Sequence, residues 1–280
     1  MNHHLLLGMA LLIGCPKPPP QPPVPRPPPQ PSAQDALLDE ALERTAPGRL
    51  RGRFGFKIHS ERLGLSGSTG GALIFDRPGR GHLAVLGPLG GPLLTLQTDG
   101  IGLAVAIQRD RQHLVVDDAG AQLQQQTGGV ADLDAILGLL IGQLPLGGLQ
   151  IEEREPLDDG DLRITFAGPQ QTTVIVVIDD PAAVPVSLEA RGEGDVLLVS
   201  ATYGPFAPMT EGGDVLLPTE VSLQIPALDL QLDIQYKDRG WAVLTDVPDV
   251  FGLQPPEGFT SRPLDAWSLL ELKPPGDPPG

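Results

Sequence analysis

The sequence predicts a mainly β protein with helices, in which an N-terminal helix and an inserted helix cover a curved antiparallel sheet. Apolar and polar residues alternate with a period of two along much of the chain, which is typical of strands with one buried face. Helical segments do not alternate with these strands, which disfavours a parallel βαβ sheet. Because an antiparallel sheet of about a dozen strands must curl or be covered, we expect it to curl around the inserted helix and enclose an apolar concavity.

The composition limits the class of partner. The 280 residues suffice for one large domain or two small ones, and 35 Asp and Glu against 19 Lys and Arg give a formal net charge of −16. This acid excess disfavours binding of nucleic acid and adhesion to anionic lipid through a polybasic patch, because both require clustered Lys and Arg. The single cysteine excludes a disulfide framework within the chain.

The N-terminal segment has the features of an export signal. Residues 5–14 carry no charge, and at about 1.5 Å per helical residue they reach about 15 Å, which is half of a hydrocarbon core. That length suits a secretory signal. The Leu-Ile-Gly-Cys sequence that ends at Cys15 resembles the lipobox of bacterial lipoproteins. The resemblance implies that residues 1–14 are a lipoprotein signal peptide and that Cys15 is lipidated; the alternative is an incidental cysteine beside a short apolar leader.

Residues 15–31 form the predicted spacer after that cysteine. Eleven of these seventeen residues are prolines, so the segment cannot form a helix interior or a sheet ladder and adopts extended polyproline II. At about 3.1 Å per residue it reaches about 50 Å. We interpret it as a spacer that holds a domain away from the membrane; the alternative is a ligand for a proline-binding groove.

The helices and strands follow from local patterns. Residues 32–45 predict an amphipathic helix, and residues 133–144 are too long and too evenly apolar for a strand and predict a buried helix. Alternation is clearest over residues 221–225 and 228–236, which a turn at residues 226–227 separates. The other predicted strands cover residues 51–60, 72–75, 82–86, 93–98, 103–108, 114–117, 162–166, 172–178, 186–190 and 196–201, with a turn at residues 168–169.

The histidines and serines give no catalytic or metal pattern. His59, His82 and His113 fall on separate predicted strands without metal-ligand spacing. Residues 64–68 approach the G-x-S-x-G nucleophile elbow, but Ser68 stands where the second glycine belongs. We interpret residues 64–68 as a Gly/Ser loop.

Three pairs of aspartates, at residues 117–118, 158–159 and 179–180, lie beside turn residues. Adjacent side chains on a strand point to opposite faces, so these pairs are poor acid/base partners and predict solvated turns. The sequence therefore predicts no enzyme, no metal and no cofactor beyond a covalent lipid on Cys15.

A loop with a leucine at its tip carries the most specific signal. Residues 87–91 read Gly-Pro-Leu-Gly-Gly, and an exposed leucine of this kind indicates a partner. With the preceding strand, residues 71–86, and with residues 132–145 and 217–236, this loop resembles the LolB family of outer-membrane lipoprotein receptors. The resemblance covers roughly residues 49–238.

The resemblance implies an incomplete barrel closed by helices, and we assign this domain to residues 32–250. The composition of residues 251–280 predicts a Pro/Gly-rich C-terminal tail. It also implies a membrane-contact loop of Pro88, Leu89 and Gly90, with Leu89 as the tip that contacts lipid. Alternation assigns the lining of the apolar cavity to Phe54, Phe56, Leu73, Phe75, Leu83, Val85, Leu94, Leu96, Leu137, Leu140, Leu223 and Leu230.

The expected function is that of the family. The protein would lie at the cell outer membrane, anchored by lipid and facing the periplasm. It would take acylated lipoproteins from a periplasmic carrier of the LolA type, bind their acyl chains in its cavity and insert them in the membrane. The alternative is a structural or protein-binding envelope lipoprotein with the same fold and no carrier activity, since fold alone does not settle function.

Overall fold

The computed structural model describes residues 33–44, 48–60, 65–76, 79–87, 89–180, 182–209, 215–236, 241–246 and 250–263. The predicted signal peptide, Cys15 and the proline spacer lie outside these residues, as does Pro88 of the predicted contact loop.

The helices in the described ranges are α1 Ala33–Arg44, α2 Ala119–Gln126 and α3 Leu133–Leu139. Helix α1 agrees with the predicted N-terminal helix, and α2 was not predicted. Helix α3 begins as predicted, because the side chain of Asp132 accepts a hydrogen bond from the Ala135 amide at 2.8 Å. It ends before the predicted residue 144, because the chain reverses there. The Gln143 amide donates to the Gly138 carbonyl at 2.9 Å, and Gly142 has a φ of +78°.

The strands in the described ranges are β1 Arg49–Ser60, β2 Leu65–Asp76, β3 Arg80–Leu86, β4 Pro92–Asp99, β5 Leu103–Ile107, β6 Gln112–Val116, β7 Gln150–Pro156, β8 Leu162–Ala167, β9 Thr173–Asp179, β10 Val184–Arg191, β11 Leu197–Tyr203, β12 Phe206–Pro208, β13 Leu216–Pro218, β14 Glu220–Ile225, β15 Leu230–Tyr236, β16 Ala242–Val243 and β17 Thr260–Pro263. All the predicted strands are among them.

One large sheet contains nearly all of these strands. Its order is β17-β6-β5-β4-β3-β2-β1-β15-β14-β11-β10-β9-β8-β7, with β16 paired to β1 and with β12 and β13 forming a separate ribbon. The pairs are antiparallel except for β17 and β6, which are parallel. The sheet is curved and unclosed, with β17 at one edge and β7 at the other. The predicted fold class, a mainly β incomplete barrel, is confirmed.

Two segments differ from the sequence-based expectation. The interpretation of residues 64–68 as a loop is wrong for residues 65–68, because β2 starts at Leu65 and Ser68 pairs with Lys57 of β1. Strand β7 was missed because its apolar and polar residues do not alternate and nearly all of its side chains are exposed. Its glutamates suit an edge strand, since charged edges discourage pairing with other chains.

The concave side of the sheet holds the main core. Leu38 and Ala41 of α1 are buried in one cluster with inward residues of β8–β11, such as Val176 and Leu188, and α1 contacts β10. Leu139 of α3 is buried in the same cluster. Because the two helices lie over one face of the sheet, its inward residues can all be apolar.

The described part of the predicted C-terminal tail packs on the outer face of the sheet. The Gln97 side-chain amide donates to the Val250 carbonyl at 2.9 Å. Phe251 is buried under the guanidinium of Arg80, which lies 5.2 Å from the ring centroid. Strand β17 then extends the sheet beside β6, with Ser261 opposite His113. Residues 250–263 thus cover an outer face that strands β3–β6 would otherwise expose.

Candidate functional site

A row of apolar side chains crosses the concave face of β3, β4 and β5. Leu83 pairs with Leu96, Val85 pairs with Leu94, and Leu94 pairs with Ile107. Cross-strand partners point to the same face of a sheet, so these five side chains form one continuous surface. All five are half-buried, in contrast to the fully buried core. We call this surface the open stripe.

The side chains on both sides of the open stripe are buried. Val105 and Leu114 continue the row from Leu96 onto β5 and β6 and are buried. On the other side, Leu73 of β2 pairs with Leu83 and is 1 % exposed. The open stripe therefore lies between two packed clusters, of which the smaller contains Val116 and the larger is the main core.

Helix α3 covers one end of these strands. The Leu137 side chain lies so close to Gly81 that a Cβ at Gly81 would approach it to 2.8 Å. The Gly79 amide donates to the Asp134 carboxylate at 2.6 Å, which ties the first turn of α3 to the β2–β3 connection. Gly81 precedes Leu83 on β3, so α3 covers the start of β3 and leaves the stripe accessible toward the β3–β4 loop.

The β3–β4 loop is a short, hydrogen-bonded turn. The Gly87 amide donates to the Gly91 carbonyl at 2.8 Å, and the Gly90 amide donates to the Gly87 carbonyl at 2.9 Å. Gly90 has a φ of +81°, a conformation that glycine adopts readily. The side chain of Leu89 is 100 % exposed, and Leu93 at the start of β4 is 51 % exposed. The loop therefore presents a leucine to solvent at the uncovered end of the stripe.

The twelve predicted lining residues separate into two sets. Half of them are at most 6 % exposed and fill the core: Phe54, Phe56, Leu73, Phe75, Leu140 and Leu223. The others are half-buried: Leu83, Val85, Leu94, Leu96, Leu137 and Leu230. Four of the half-buried residues belong to the open stripe. The fifth stripe residue, Ile107, was not predicted, although it alternates in phase with Val105 and Leu103 on its strand.

Two clefts in the described part of the chain lie elsewhere. One, of about 330 Å³, is lined by polar and small residues at the hairpin end of β1, including Lys57, Ser68 and Asp233. The other, of about 460 Å³, lies beside the β8–β9 turn and is lined by glycines and by residues such as Pro145 and Pro169. Neither cleft is lined by a residue of the open stripe.

Several buried polar groups hold the site in place. Asp76 is 1 % exposed, accepts a hydrogen bond from Arg49 Nε at 2.9 Å and forms an ion pair with Arg80. The Tyr236 hydroxyl donates to the Leu140 carbonyl at the end of α3. Burial raises the pKa of Tyr236 far above its ordinary value, with a smaller contribution from Tyr203. Tyr236 is therefore a neutral donor that fixes α3 over the sheet.

The histidines do not meet at the concave face. His82 and His113 lie on the outer face, under the C-terminal segment, and His59 is exposed at the end of β1. Burial lowers the pKa of His113, whose Nδ1 is 3.0 Å from the Ser261 hydroxyl. Burial also lowers the pKa of His82, with a smaller opposite effect from its hydrogen bond to the Val250 carbonyl. In the described residues no three metal-ligand side chains cluster, and no helix there is long and apolar enough to span a membrane.

The sequence matches no family model and no curated protein. Among solved structures, a LolA superfamily protein from Nitrosomonas europaea is 16 % identical with a TM-score of 0.51, over 80 % of this chain and 98 % of that chain. A domain named for outer-membrane lipoprotein sorting, from Vibrio parahaemolyticus, is 11 % identical with a TM-score of 0.50, over 78 % of this chain and 96 % of that chain. At these identities the likeness concerns the fold, and the narrower resemblance to LolB stays a prediction. The chain therefore has a LolA-type fold, an unclosed half-barrel covered by helices.

Proposed function

We propose that this protein is a bacterial envelope lipoprotein that binds the acyl chains of lipoproteins or lipids on the open stripe and delivers them to the outer membrane. One observation supports this most directly. Half-buried apolar side chains on β3, β4 and β5 form a continuous surface that ends at the loop carrying the fully exposed Leu89.

The energetics of an acyl chain explain why such a surface is useful. Each methylene group costs about 0.8 kcal/mol when it is transferred from an apolar environment to water. A protein that moves an acyl chain must therefore cover it with apolar side chains until it reaches a bilayer. The open stripe supplies that cover, and binding would remove from water the apolar surface that its five residues still expose.

The position of Leu89 suggests the exit. The strands that carry Val85 and Leu94 lead directly into the β3–β4 loop. A leucine at that tip can enter the apolar region of a bilayer and bring the end of the stripe to the membrane. The proposed lipid on Cys15 and the proline spacer would keep the half-barrel close enough for this contact, and a carrier of the LolA type would supply the cargo.

A second candidate is a structural or protein-binding envelope lipoprotein without carrier activity. The observation that favours it is the packing of the larger part of the concave face. Phe54, Phe75 and Leu223 are nearly completely buried, so this part of the face is filled by the protein itself. Native mass spectrometry of the full chain separates the two candidates, because a carrier retains acyl species from the host and the second candidate does not.

The decisive test is delivery of an acylated lipoprotein to vesicles by the full chain carrying Leu89→Glu. We expect normal folding, because the side chain contacts only solvent, and loss of delivery, because a charge cannot enter the bilayer at low cost. Ile101→Glu is the matched control, since Ile101 is 66 % exposed in the β4–β5 turn at the other end of the same strand. Unchanged delivery by Leu89→Glu would refute the proposed exit.

A further inference from the structure

Two hairpin loops lie side by side at the Leu89 end of the sheet. The β3–β4 loop carries Leu89, and the β5–β6 turn, residues 108–111, carries Arg109 and Arg111. The Gln108 amide donates to the Leu93 carbonyl at 3.0 Å, which joins the base of one loop to the base of the other. At about 4.8 Å between neighbouring strands, the two loops are centred about 10 Å apart.

The two arginines are free to bind an external anion. Both are exposed, and among the residues that the structure describes neither guanidinium has an ion pair or a hydrogen bond. The backbone that carries them is fixed, because the Arg111 carbonyl accepts a hydrogen bond from the Thr260 amide at 2.9 Å. Asp110 lies between the two arginines in the chain, and a Cβ at Gly258 would lie 4.0 Å from a guanidinium nitrogen of Arg111. Arg262 of β17 lies beside β6 and donates a hydrogen bond to the Gln112 side chain at 3.4 Å.

The opposite end of the sheet is rich in aspartate. The turns there precede β5, follow β6, join β7 to β8 and join β9 to β10. They contain Asp99, Asp117, Asp118, Asp158, Asp159, Asp161, Asp179 and Asp180. Burial raises the pKa of Asp161, and repulsion by Asp159, Asp179 and Asp180 raises it further. The strands therefore run from an end whose turns hold these eight aspartates to the Leu89 end, where the unpaired Arg109 and Arg111 lie. The Leu89 end also holds Glu193, Asp195 and Asp229 in the β10–β11 and β14–β15 turns, and Asp195 is paired with Arg191.

We propose that Arg109 and Arg111 bind anionic lipid headgroups while Leu89 enters the bilayer, so that the half-barrel docks on a negatively charged membrane with its aspartate-rich end pointing away. This proposal rests on the proposed function and deepens it by naming the kind of membrane, a negatively charged one, that receives the cargo. The net charge of −16 opposes any unoriented approach to such a membrane. Among the residues that the structure describes, the unpaired Arg109 and Arg111 lie beside the apolar tip at Leu89, so the approach with this end toward the membrane meets the least repulsion.

The test is co-sedimentation of the full chain with vesicles of phosphatidylcholine alone or with about a third of phosphatidylglycerol. Every sample carries Cys15→Ser, Leu7→Asp and Leu11→Asp, so that neither a covalent lipid nor the leader binds the bilayer. The variants are Arg109→Gln with Arg111→Gln, Leu89→Glu, and the matched control Arg51→Gln with Arg53→Gln, two exposed arginines of β1.

We expect the Arg109 and Arg111 double variant to bind the anionic vesicles about 10- to 30-fold more weakly, because each cation near such a surface contributes about 1 kcal/mol. Binding to phosphatidylcholine and binding by the Arg51 and Arg53 control should be unchanged. If Leu89→Glu abolishes binding while the double variant binds both vesicles as the parent does, this inference is overturned and the proposed function stands. If Leu89→Glu has no effect, the proposed function itself is overturned.

Discussion

Leu96 and Leu223 allow the same substitution to be made in the open stripe and in the filled core. Leu223 is 1 % exposed within the main cluster, whereas Leu96 is half-buried on β4. Leu223→Ala should lower the free energy of unfolding by about 2–5 kcal/mol, because it leaves a cavity in a packed core. Leu96→Ala should lower it by about 1 kcal/mol, because part of the side chain already contacts solvent.

The loss of affinity for an acyl chain should be larger in Leu96→Ala than in Leu223→Ala. Leu96→Ala removes three carbons from the surface that would cover the chain, and the equivalent of one or two methylene contacts is worth about 0.8–1.6 kcal/mol. At 1.4 kcal/mol per tenfold, the acyl chain should bind about 4- to 15-fold more weakly. Leu223→Ala should leave the affinity unchanged, because Leu223 is buried on β14, which lies four strands from β3 in the sheet order.

Two assays on the full chain measure these quantities. Urea unfolding gives the free energies, and displacement of a fluorescent fatty acid by palmitate gives the affinities at a temperature where both variants are folded. The expected result is a crossed pattern, with stability lost mainly in Leu223→Ala and affinity lost mainly in Leu96→Ala. A larger loss of affinity in Leu223→Ala than in Leu96→Ala would refute the assignment of the open stripe as the binding surface.

Three further predictions concern the frame around the site. Gly142→Ala should destabilise the fold by about 2–3 kcal/mol in urea unfolding, because the φ of Gly142 is positive and the new Cβ would lie 2.9 Å from the Phe206 ring. Gly148→Ala is the control and should cost about 1 kcal/mol, because Gly148 has a similar φ but no atom lies within 4 Å of the new Cβ. Asp76→Asn should cost about 1–3 kcal/mol, because it removes the negative charge that binds Arg49 and Arg80 and puts an NH2 donor in place of one carboxylate oxygen. An unchanged unfolding midpoint would contradict this. The free energy of unfolding should fall as the pH drops below about 6.5, because burial lowers the pKa of His113 and the unfolded chain then binds the proton more readily. His113→Gln should reduce the dependence of this free energy on pH in unfolding curves between pH 7.5 and 5. An identical pH dependence in the variant would contradict this.

Much of the fold could be predicted because local patterns agree with the tertiary structure. Strands such as β14 and β15 alternate strictly, since one face meets the core and the other meets water. The turn between them follows from Pro226 and Ala227, and a left-handed Asp229 completes it. Strand β7 and helix α2 carry no such signal, because an exposed edge strand and a glutamine-rich helix do not need an apolar face.

The C-terminal segment was missed for a different reason. Its composition is typical of a tail, yet Phe251 is buried and β17 pairs with β6. Contacts between residues so distant in sequence leave no local periodicity. Val250 accepts the hydrogen bond from the Gln97 side chain through its backbone carbonyl, and a residue of any type could provide that carbonyl.

The candidate site could be predicted only in part. Alternation identifies which side chains face inward, and four of the five stripe residues are among those that it selected. It does not show which inward residues the helices cover. That division depends on where α1 and α3 dock, and contacts such as that of Leu137 with Gly81 become visible only in the folded protein.

The most direct measurement is methyl NMR of the full chain with a fatty acid that carries a spin label near its methyl end. Bound in the open stripe, the label should broaden the methyl signals of Leu83, Val85, Leu94, Leu96 and Ile107 and leave those of Ile164 and Leu188 in the filled core sharp. Equal broadening of both sets, or no broadening of the stripe at concentrations at which the fatty acid is bound, would contradict the proposal that acyl chains lie on this face.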